Sequence, residues 1–151
     1  MTSSGLLQHI RSHRLAVQTS VSPSGRPQAA VVGIAVSNAF ELVFDSLDTS
    51  RKVQNLRRNP CISFVIGGLA NGEESTVQYE GIADEPAGAE LQRLQEIYLR
   101  EFPDGLVRQS WPGLVYVRAR PTWIRYSNFH HVPAEIIEFT SEQLQHHGQN
   151  D

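Results

Sequence analysis

Three consecutive residues with polar side chains, Ser50, Arg51 and Lys52, stand where a predicted helix begins in FDSLDTSRKVQNLRRNP (44–60). The first N–H groups of a helix have no intrahelical partner, and the helix dipole adds positive potential there, so a helix start can bind an anion. Arg51 adds a planar fork of N–H donors, Lys52 a point charge and Ser50 a hydroxyl. Ser46, at the end of the preceding strand, is a further donor. The cluster predicts a site for a phosphate monoester.

The same charges can be explained without a ligand. In that interpretation the two basic pairs of this helix, Arg51–Lys52 and Arg57–Arg58, are solvated and only aid solubility. Basic residues at a helix N-terminus work against the dipole, however, and a bound anion would account for this mild cost. The residues alone leave both interpretations open.

A second candidate surface is the predicted strand Gln28–Val36, which is apolar on both faces. One face carries Ala30, Val32, Ile34 and Val36, and the other carries Ala29, Val31, Gly33 and Ala35. Two apolar faces indicate that both are covered. Gly33 within a strand indicates close approach by a ligand or another backbone, although a tightly packed sheet explains the small residues equally well.

Other residues with chemical potential do not form a recognisable site in the sequence. His9 and His13 are four residues apart and could share one helix face, as metal ligands do, but no third ligand is identifiable and no metal site is assigned. Nothing marks Asp45 and Asp48 as an acid and base pair, so the catalytic residues are unknown. His130–His131 could line a pocket or belong to a polar loop.

The composition excludes several classes of protein. The 151 residues suggest one domain, residues 1–151, and the net charge of −3 argues against a general nucleic-acid binder. Cys61 is the only cysteine, so an intramolecular disulfide is impossible and a cytoplasmic location is expected. The sequence shows neither a signal-peptide pattern nor a run of ~20 apolar residues, so no membrane partner is expected.

The elements that must position these residues are mostly strands. Alternation and turn signals predict strands at 15–21, 28–36, 41–45, 61–66, 75–84, 114–120, 123–127 and 136–139. Helices are predicted at 6–14, from a cap at Thr49 or Ser50 to about Arg58, at 86–102, and as a terminal turn within 140–147. Pro121 is expected to break the run after 120. This order predicts a mainly β fold with inserted helices, a barrel or a sandwich, and not a doubly wound sheet.

Four segments, in this order and spacing, carry a family resemblance. They are GRPQAAVVGIAV, ELVFDSLDTSRKVQNLRRNPCISFVIG, TVQYEGIADEP and VYVRARPTWIRYS. Together they resemble the pyridoxamine 5'-phosphate oxidase-like, FMN-binding split-barrel proteins over roughly Leu15 to Ser127. The resemblance implies a dimeric six-stranded split β-barrel, with FMN bound at the interface of the homodimer.

The resemblance also implies which residues hold the phosphate end of FMN. Arg51 and Lys52 match the basic pair that binds the phosphate, beside the capping residue Ser50. Asp45 and Ser46 match the pair at the strand end that also touches the cofactor.

For the flavin ring, the resemblance points to backbone rather than side chains. The segment Ala30 to Ala35, with Ala30, Val31, Val32 and Gly33 as the contacts, matches the strand whose backbone lies along the flavin, and its small residues would let a flat ring approach. Thr76 falls where the oxidase has a flavin-contacting glutamine. Gln78, two residues on, could replace it from the same strand face.

The chain also departs from the oxidase. The oxidase has an arginine where this chain has Ala30, and its C-terminal signature for the substrate phosphate is not visible here. We therefore expect an FMN-binding flavoprotein, an oxidoreductase with an unknown small-molecule substrate, rather than a true pyridoxamine-phosphate oxidase. One alternative is a deazaflavin-dependent reductase whose acidic cofactor tail would bind Arg57 and Arg58. Another is a non-enzymatic flavin- or haem-binding protein, with His130 or His131 as the haem ligand.

Overall fold

One curled antiparallel sheet of eight strands dominates the computed structural model, which describes residues 1–147. The strands are β1 (Leu15–Val21), β2 (Pro27–Gly33), β3 (Ala35–Val36), β4 (Leu42–Leu47), β5 (Cys61–Ile66), β6 (Ser75–Asp84), β7 (Leu114–Asn128) and β8 (Glu135–Thr140). The helices are α1 (Ser3–Arg11), α2 (Arg51–Arg58), α3 (Gly88–Glu101), α4 (Gly105–Arg108) and α5 (Ser141–His147). The mainly β architecture is as predicted.

The strand order shows how the sheet closes. Neighbouring strands follow β2-β1-β5-β6-β7-β4-β3, and β8 is added beside β7. The chain passes from β2 at one edge to β3 at the other edge through the single residue Ile34, so the sheet must curl on itself. β2 and β3 are consecutive parts of one extended segment and count as one strand of the barrel, and β8 lies outside it. The barrel wall therefore has six strands, which confirms the predicted split barrel.

The closure is incomplete, and this creates the split. β3 pairs with β4 only at Ala35↔Val43 and Val36↔Leu42. Beyond these pairs the ladder ends, although β2 and the second half of β4 stay close. Within residues 1–147, β2 pairs with β1 alone and β4 beyond Val43 pairs with β7 alone. Two open backbone edges therefore face each other across the split.

The prediction that Pro121 breaks its strand is wrong. β7 runs through it, and the register with β6 shifts at Gly81, which lies opposite Pro121. On its other side β7 pairs with β4 as far as Ala119 and with β8 from Trp123 onwards. Pro121 lies between these two partners, so its missing N–H removes no ladder hydrogen bond there.

The core fills the barrel and fixes α2 at one end of it. Alternate residues of the strands point inward, and Phe44, Phe64 and Tyr79 pack edge to face at its centre. α2 inserts Val53 into this core. Its buried Asn55 donates to Ser20 Oγ at 3.1 Å and to Gln28 Oε1 at 2.9 Å. The helix that carries the basic pair is therefore held rigidly against β1 and β2.

A second apolar cluster lies outside the barrel, beneath α3. It contains Ala35, Val43, Leu94, Tyr98 and Tyr116. α3 begins at Gly88 and ends at Glu101, inside the predicted range 86–102. The short α4 that follows was not predicted. These two helices cover the face of β4 that points away from the barrel interior.

Candidate functional site

Hydroxyl groups, backbone N–H groups and two cationic side chains lie close together at the start of α2. Ser50 is the N-cap, and its Oγ accepts a hydrogen bond from Val53 N–H at 3.4 Å. Ser46 Oγ lies 3.0 Å from Ser50 Oγ. The N–H groups of Arg51 and Lys52 have no intrahelical partner, and neither side chain forms an ion pair within residues 1–147. The predicted phosphate-binding residues are thus brought together: the two hydroxyls bond each other, which leaves one O–H to donate outward, and the backbone N–H groups and cations of Arg51 and Lys52 are unpaired.

The other end of α2 is different. Arg57 Nε and Nη2 each donate to a different carboxylate oxygen of Glu85 at 2.8 Å. This bidentate pair raises the pKa of Arg57 and lowers that of Glu85. Arg58 donates to Asn55 Oδ1 at 3.2 Å. Both C-terminal arginines therefore have protein partners.

Asp45 and Ser46 are adjacent but point to opposite faces of β4, because side chains alternate along a strand. Ser46 faces the α2 start. Asp45 faces α3 and α4, where it accepts from Arg108 Nε at 2.7 Å and from Tyr98 Oη at 2.9 Å. Burial, with the nearby Asp45 carboxylate, raises the pKa of Tyr98. The structure therefore separates the predicted pair, and the Asp45 side chain is already engaged.

Strand β2, the predicted flavin contact, lies along the split. Continuing the register of β3 and β4 places Val32 opposite Ser46, so the open edge of β2 faces the strand that leads into α2. Ala30 and Val32 turn their side chains inward, and Val31 is 63% exposed. At Gly33, however, the flat ring close to the backbone belongs to Phe102: a Cβ there would lie 2.8 Å from Phe102 Cζ.

Gln78 lies on the same outer face as Val31, but not beside it. The pairs Val31↔Val17, Val17↔Val65 and Val65↔Gln78 form one row across the sheet. Three strand spacings separate its ends by about 14 Å. Thr76 precedes Gln78 by two residues on the same face of β6, and its methyl group packs over Gly68. Within one chain, these two residues are away from the split.

A cavity of about 570 Å³ lies elsewhere, between α1, α3 and the segment 34–39. None of the residues predicted to hold the phosphate lines it. We therefore place the candidate site at the split, where the donors are, and not at this cavity.

Sequence comparison identifies the family. The model of the pyridoxamine 5'-phosphate oxidase family matches residues 6–128, which is most of the chain. The chain belongs to the pyridoxamine 5'-phosphate oxidase family. None of the curated proteins compared by sequence matches it.

Solved structures share the fold of this family member. A heme binding protein from Mycobacterium smegmatis matches with a TM-score of 0.83 at 16% identity, covering 97% of this chain and 61% of that one. A pyridoxamine 5'-phosphate oxidase-related, FMN binding protein from Nostoc punctiforme matches with a TM-score of 0.68 at 13% identity, covering 91% and 88%. A putative pyridoxamine 5'-phosphate oxidase from Listeria innocua matches with a TM-score of 0.65 at 22% identity, covering 82% and 96%. This chain thus spans about three fifths of the mycobacterial protein, and these likenesses establish the fold alone.

Two residues beside the candidate site of this oxidase-family protein, and one beside His13, were not found from the sequence. Phe102 falls at the end of the predicted helix 86–102, but its contact with Gly33 is long-range and leaves no local signal. Arg108, which engages Asp45, and Glu73, which lies beside His13, were missed for the same reason. His130, proposed as a haem ligand, is in an exposed loop and lies 3.8 Å from Glu74.

No helix within residues 1–147 is long and apolar enough to cross a lipid bilayer.

Proposed function

We propose that the protein is an FMN-binding flavoprotein and a flavin-dependent oxidoreductase acting on a small molecule. The observation that carries this proposal is the start of α2: two hydroxyls 3.0 Å apart, two N–H groups without partners and two unpaired cations. This donor set fits a phosphate dianion, since every group is a donor or a positive charge.

In this proposal the rest of the cofactor lies along the split. The open edge of β2 offers backbone N–H and C=O groups from Ala30 to Val32, and Ser46 lies across from it. Phe102 occupies the approach to Gly33, so in this proposal the ring contacts β2 before that residue. Bound FMN would supply the electron or hydride transfer, and the chain would bind and orient it.

We also propose that the protein is a homodimer with the cofactor at the interface. One face of the sheet exposes apolar side chains, with Leu15 57%, Val31 63% and Val65 40% exposed. A contiguous apolar surface of this kind is typical of an interface. Gln78 lies in the same row, so a second copy packed there would bring its Thr76 and Gln78 toward the cofactor held by the first.

Two measurements test this proposal. Flavin fluorescence titrated with protein should show FMN binding more tightly than riboflavin, because the anchor is the phosphate; equal affinities would contradict the phosphate assignment. Sedimentation at low micromolar concentration should show one dimeric species. A folded monomer that binds FMN at full strength would contradict the shared site.

The heme-binding relative supports a second candidate function, a non-enzymatic haem-binding protein. That structure covers almost the whole chain with a TM-score of 0.83. His130 and His131 are both exposed and could reach an iron ion. The Soret band of haem should then shift when haem is added to the purified protein. This shift should be lost in His130→Ala/His131→Ala. A flavin spectrum after purification would instead favour FMN. The deazaflavin alternative loses support, because Arg57 is already paired with Glu85.

A further inference from the structure

A cluster of metal-ligating side chains lies outside the site described above. His9 is in the last turn of α1, His13 follows its C-terminus, and Glu73 belongs to the loop between β5 and β6. One potential ligand atom from each lies within 4.8 Å of the other two. It is the one such group of three found among residues 1–145, whose side chains the structure describes.

The hydrogen bonds of His13 leave Nε2 directed at Glu73. Its Nδ1 lies 2.8 Å from the carbonyl oxygen of His9, so Nδ1 carries a proton and donates it. Its Nε2 lies 2.5 Å from Glu73 Oε1. A neutral Nε2 and a carboxylate are both acceptors, so a proton or a cation must lie between them. A histidine whose Nδ1–H is held by a carbonyl while Nε2 faces outward has the orientation that metal-binding histidines adopt.

His9 supplies an independent observation. Its Nε2 atom is fully buried and has no hydrogen-bond partner among the side chains of residues 1–145 or the described backbone. Buried polar atoms without a partner are rare and call for an explanation, and an ion is one. The rings of His9 and His13 are 4.8 Å apart between centroids, and the edge of His9 packs against Tyr126. Packing therefore keeps the His9 ring beside that of His13.

Gly67 leaves space next to the ion pair. Its φ is +77°, which alone favours glycine, and a Cβ there would lie 3.0 Å from both Glu73 Oε1 and His13 Nε2. The side chains of His13 and Glu73 are 18% and 21% exposed. His13 also lines the cavity of about 570 Å³, which gives a hydrated ion a route of entry.

We propose that His9, His13 and Glu73 bind a divalent transition-metal ion of the zinc type. Two imidazoles and one carboxylate are a ligand set that Zn²⁺ uses with a fourth position open to water. Binding would replace the proton between His13 and Glu73, which leaves to solvent. The three ligand atoms would move to separations of about 3.4 Å, as ~2.1 Å bonds in tetrahedral geometry require. This site is independent of the proposed cofactor site.

Calorimetric titration with Zn²⁺ and absorption spectra with Co²⁺ test the proposal. The C-terminal His146–His147 pair can chelate metal by itself, so every variant is made in a His146→Ala/His147→Ala background of the full chain. We expect that background protein to bind one Zn²⁺ per chain at micromolar or lower concentration, and Co²⁺ to give the visible absorption of a tetrahedral site.

The matched variants are Glu73→Gln and Glu74→Gln. Glu73→Gln preserves the shape of the side chain and should weaken Zn²⁺ binding at least ~100-fold, since loss of a ligand exceeds the 10- to 100-fold typical of outer-shell changes. Glu74→Gln, one residue on, should leave binding unchanged. His9→Ala should abolish the Co²⁺ spectrum, with circular dichroism confirming the fold. Zn²⁺ binding weaker than millimolar in the background protein, or equal affinity in the two glutamine variants, would show that His13 and Glu73 form only an ion pair that fastens the loop.

Discussion

Both ends of α2 carry basic side chains, but the two ends differ in whether these side chains have partners in the protein. At the C-terminal end, Arg57 is held by both oxygens of Glu85, and Arg58 bonds Asn55. At the N-terminal end, Arg51 and Lys52 form no ion pair within residues 1–147, although the helix dipole there disfavours cations. Cations that pair are explained by the fold. Arg51 and Lys52 stay unpaired where the helix dipole destabilises a positive charge, and a bound anion explains their presence better.

Removing both N-terminal cations should produce the largest effect. Arg51→Ala/Lys52→Ala should weaken FMN binding by about 3–5 kcal/mol, roughly 140- to 4,000-fold, since each residue contributes one charged hydrogen bond. The matched control is Arg57→Ala/Arg58→Ala, which should bind FMN as the wild type does. Fluorescence titration of the two double variants measures the difference. Equal losses in both would mean that only the net charge matters.

The next effect separates the adjacent residues Asp45 and Ser46. Asp45→Asn should lower the free energy of unfolding by about 2 kcal/mol, because it weakens the half-buried bonds from Arg108 and Tyr98. The folded variant should retain FMN affinity, since this carboxylate points away from the α2 start. Urea denaturation and FMN titration together check both statements. A large loss of affinity with unchanged stability would place Asp45 at the cofactor instead.

A smaller effect is expected at the cap. Ser50→Ala should destabilise the protein by about 1 kcal/mol, because Val53 N–H loses its acceptor. It should also weaken FMN binding by roughly 1 kcal/mol through the lost hydroxyl. Thr49→Ala, one residue earlier and outside the cap, is the control and should change neither quantity.

The smallest effect concerns pH at the paired end. The Arg57 guanidinium lowers the pKa of Glu85 from its usual 4.5. A depressed carboxyl pKa contributes stability above the unfolded pKa, and this contribution is lost as the pH falls through the folded pKa. Arg57→Ala should therefore lower the melting temperature slightly at pH 7 and much less at about pH 3. A difference in melting temperature that does not change with pH would indicate that the Arg57–Glu85 ion pair contributes nothing to stability.

Local patterns predicted most of the fold and the grouping of polar residues at the start of α2. The bounds of β1, β5 and β6 agree with the alternation in the sequence, and the capping rule predicted Thr49 or Ser50 at the start of α2, where Ser50 is the N-cap. These features depend on residues close together in the chain, which is why they could be predicted.

Contacts between distant segments could not be predicted. Pro121 was expected to break its strand, because the sequence does not reveal that β4 ends and β8 begins on either side of it. Gly33 was expected to approach a flat ligand, and the ring found there is that of Phe102. Glu73 is 60 residues from His13, so no spacing rule could supply the third member of that cluster.

A thermodynamic cycle tests the central claim, that the unpaired cations of α2 bind a phosphate, most directly. FMN and riboflavin are each titrated against the wild type and against Arg51→Ala/Lys52→Ala, and the cofactor-free melting temperatures are recorded. We predict that the wild type prefers FMN by about 3–5 kcal/mol, that the variant binds both flavins almost equally, and that the empty variant is no less stable. If the variant binds FMN as tightly as the wild type does, Arg51 and Lys52 are only a solvated surface.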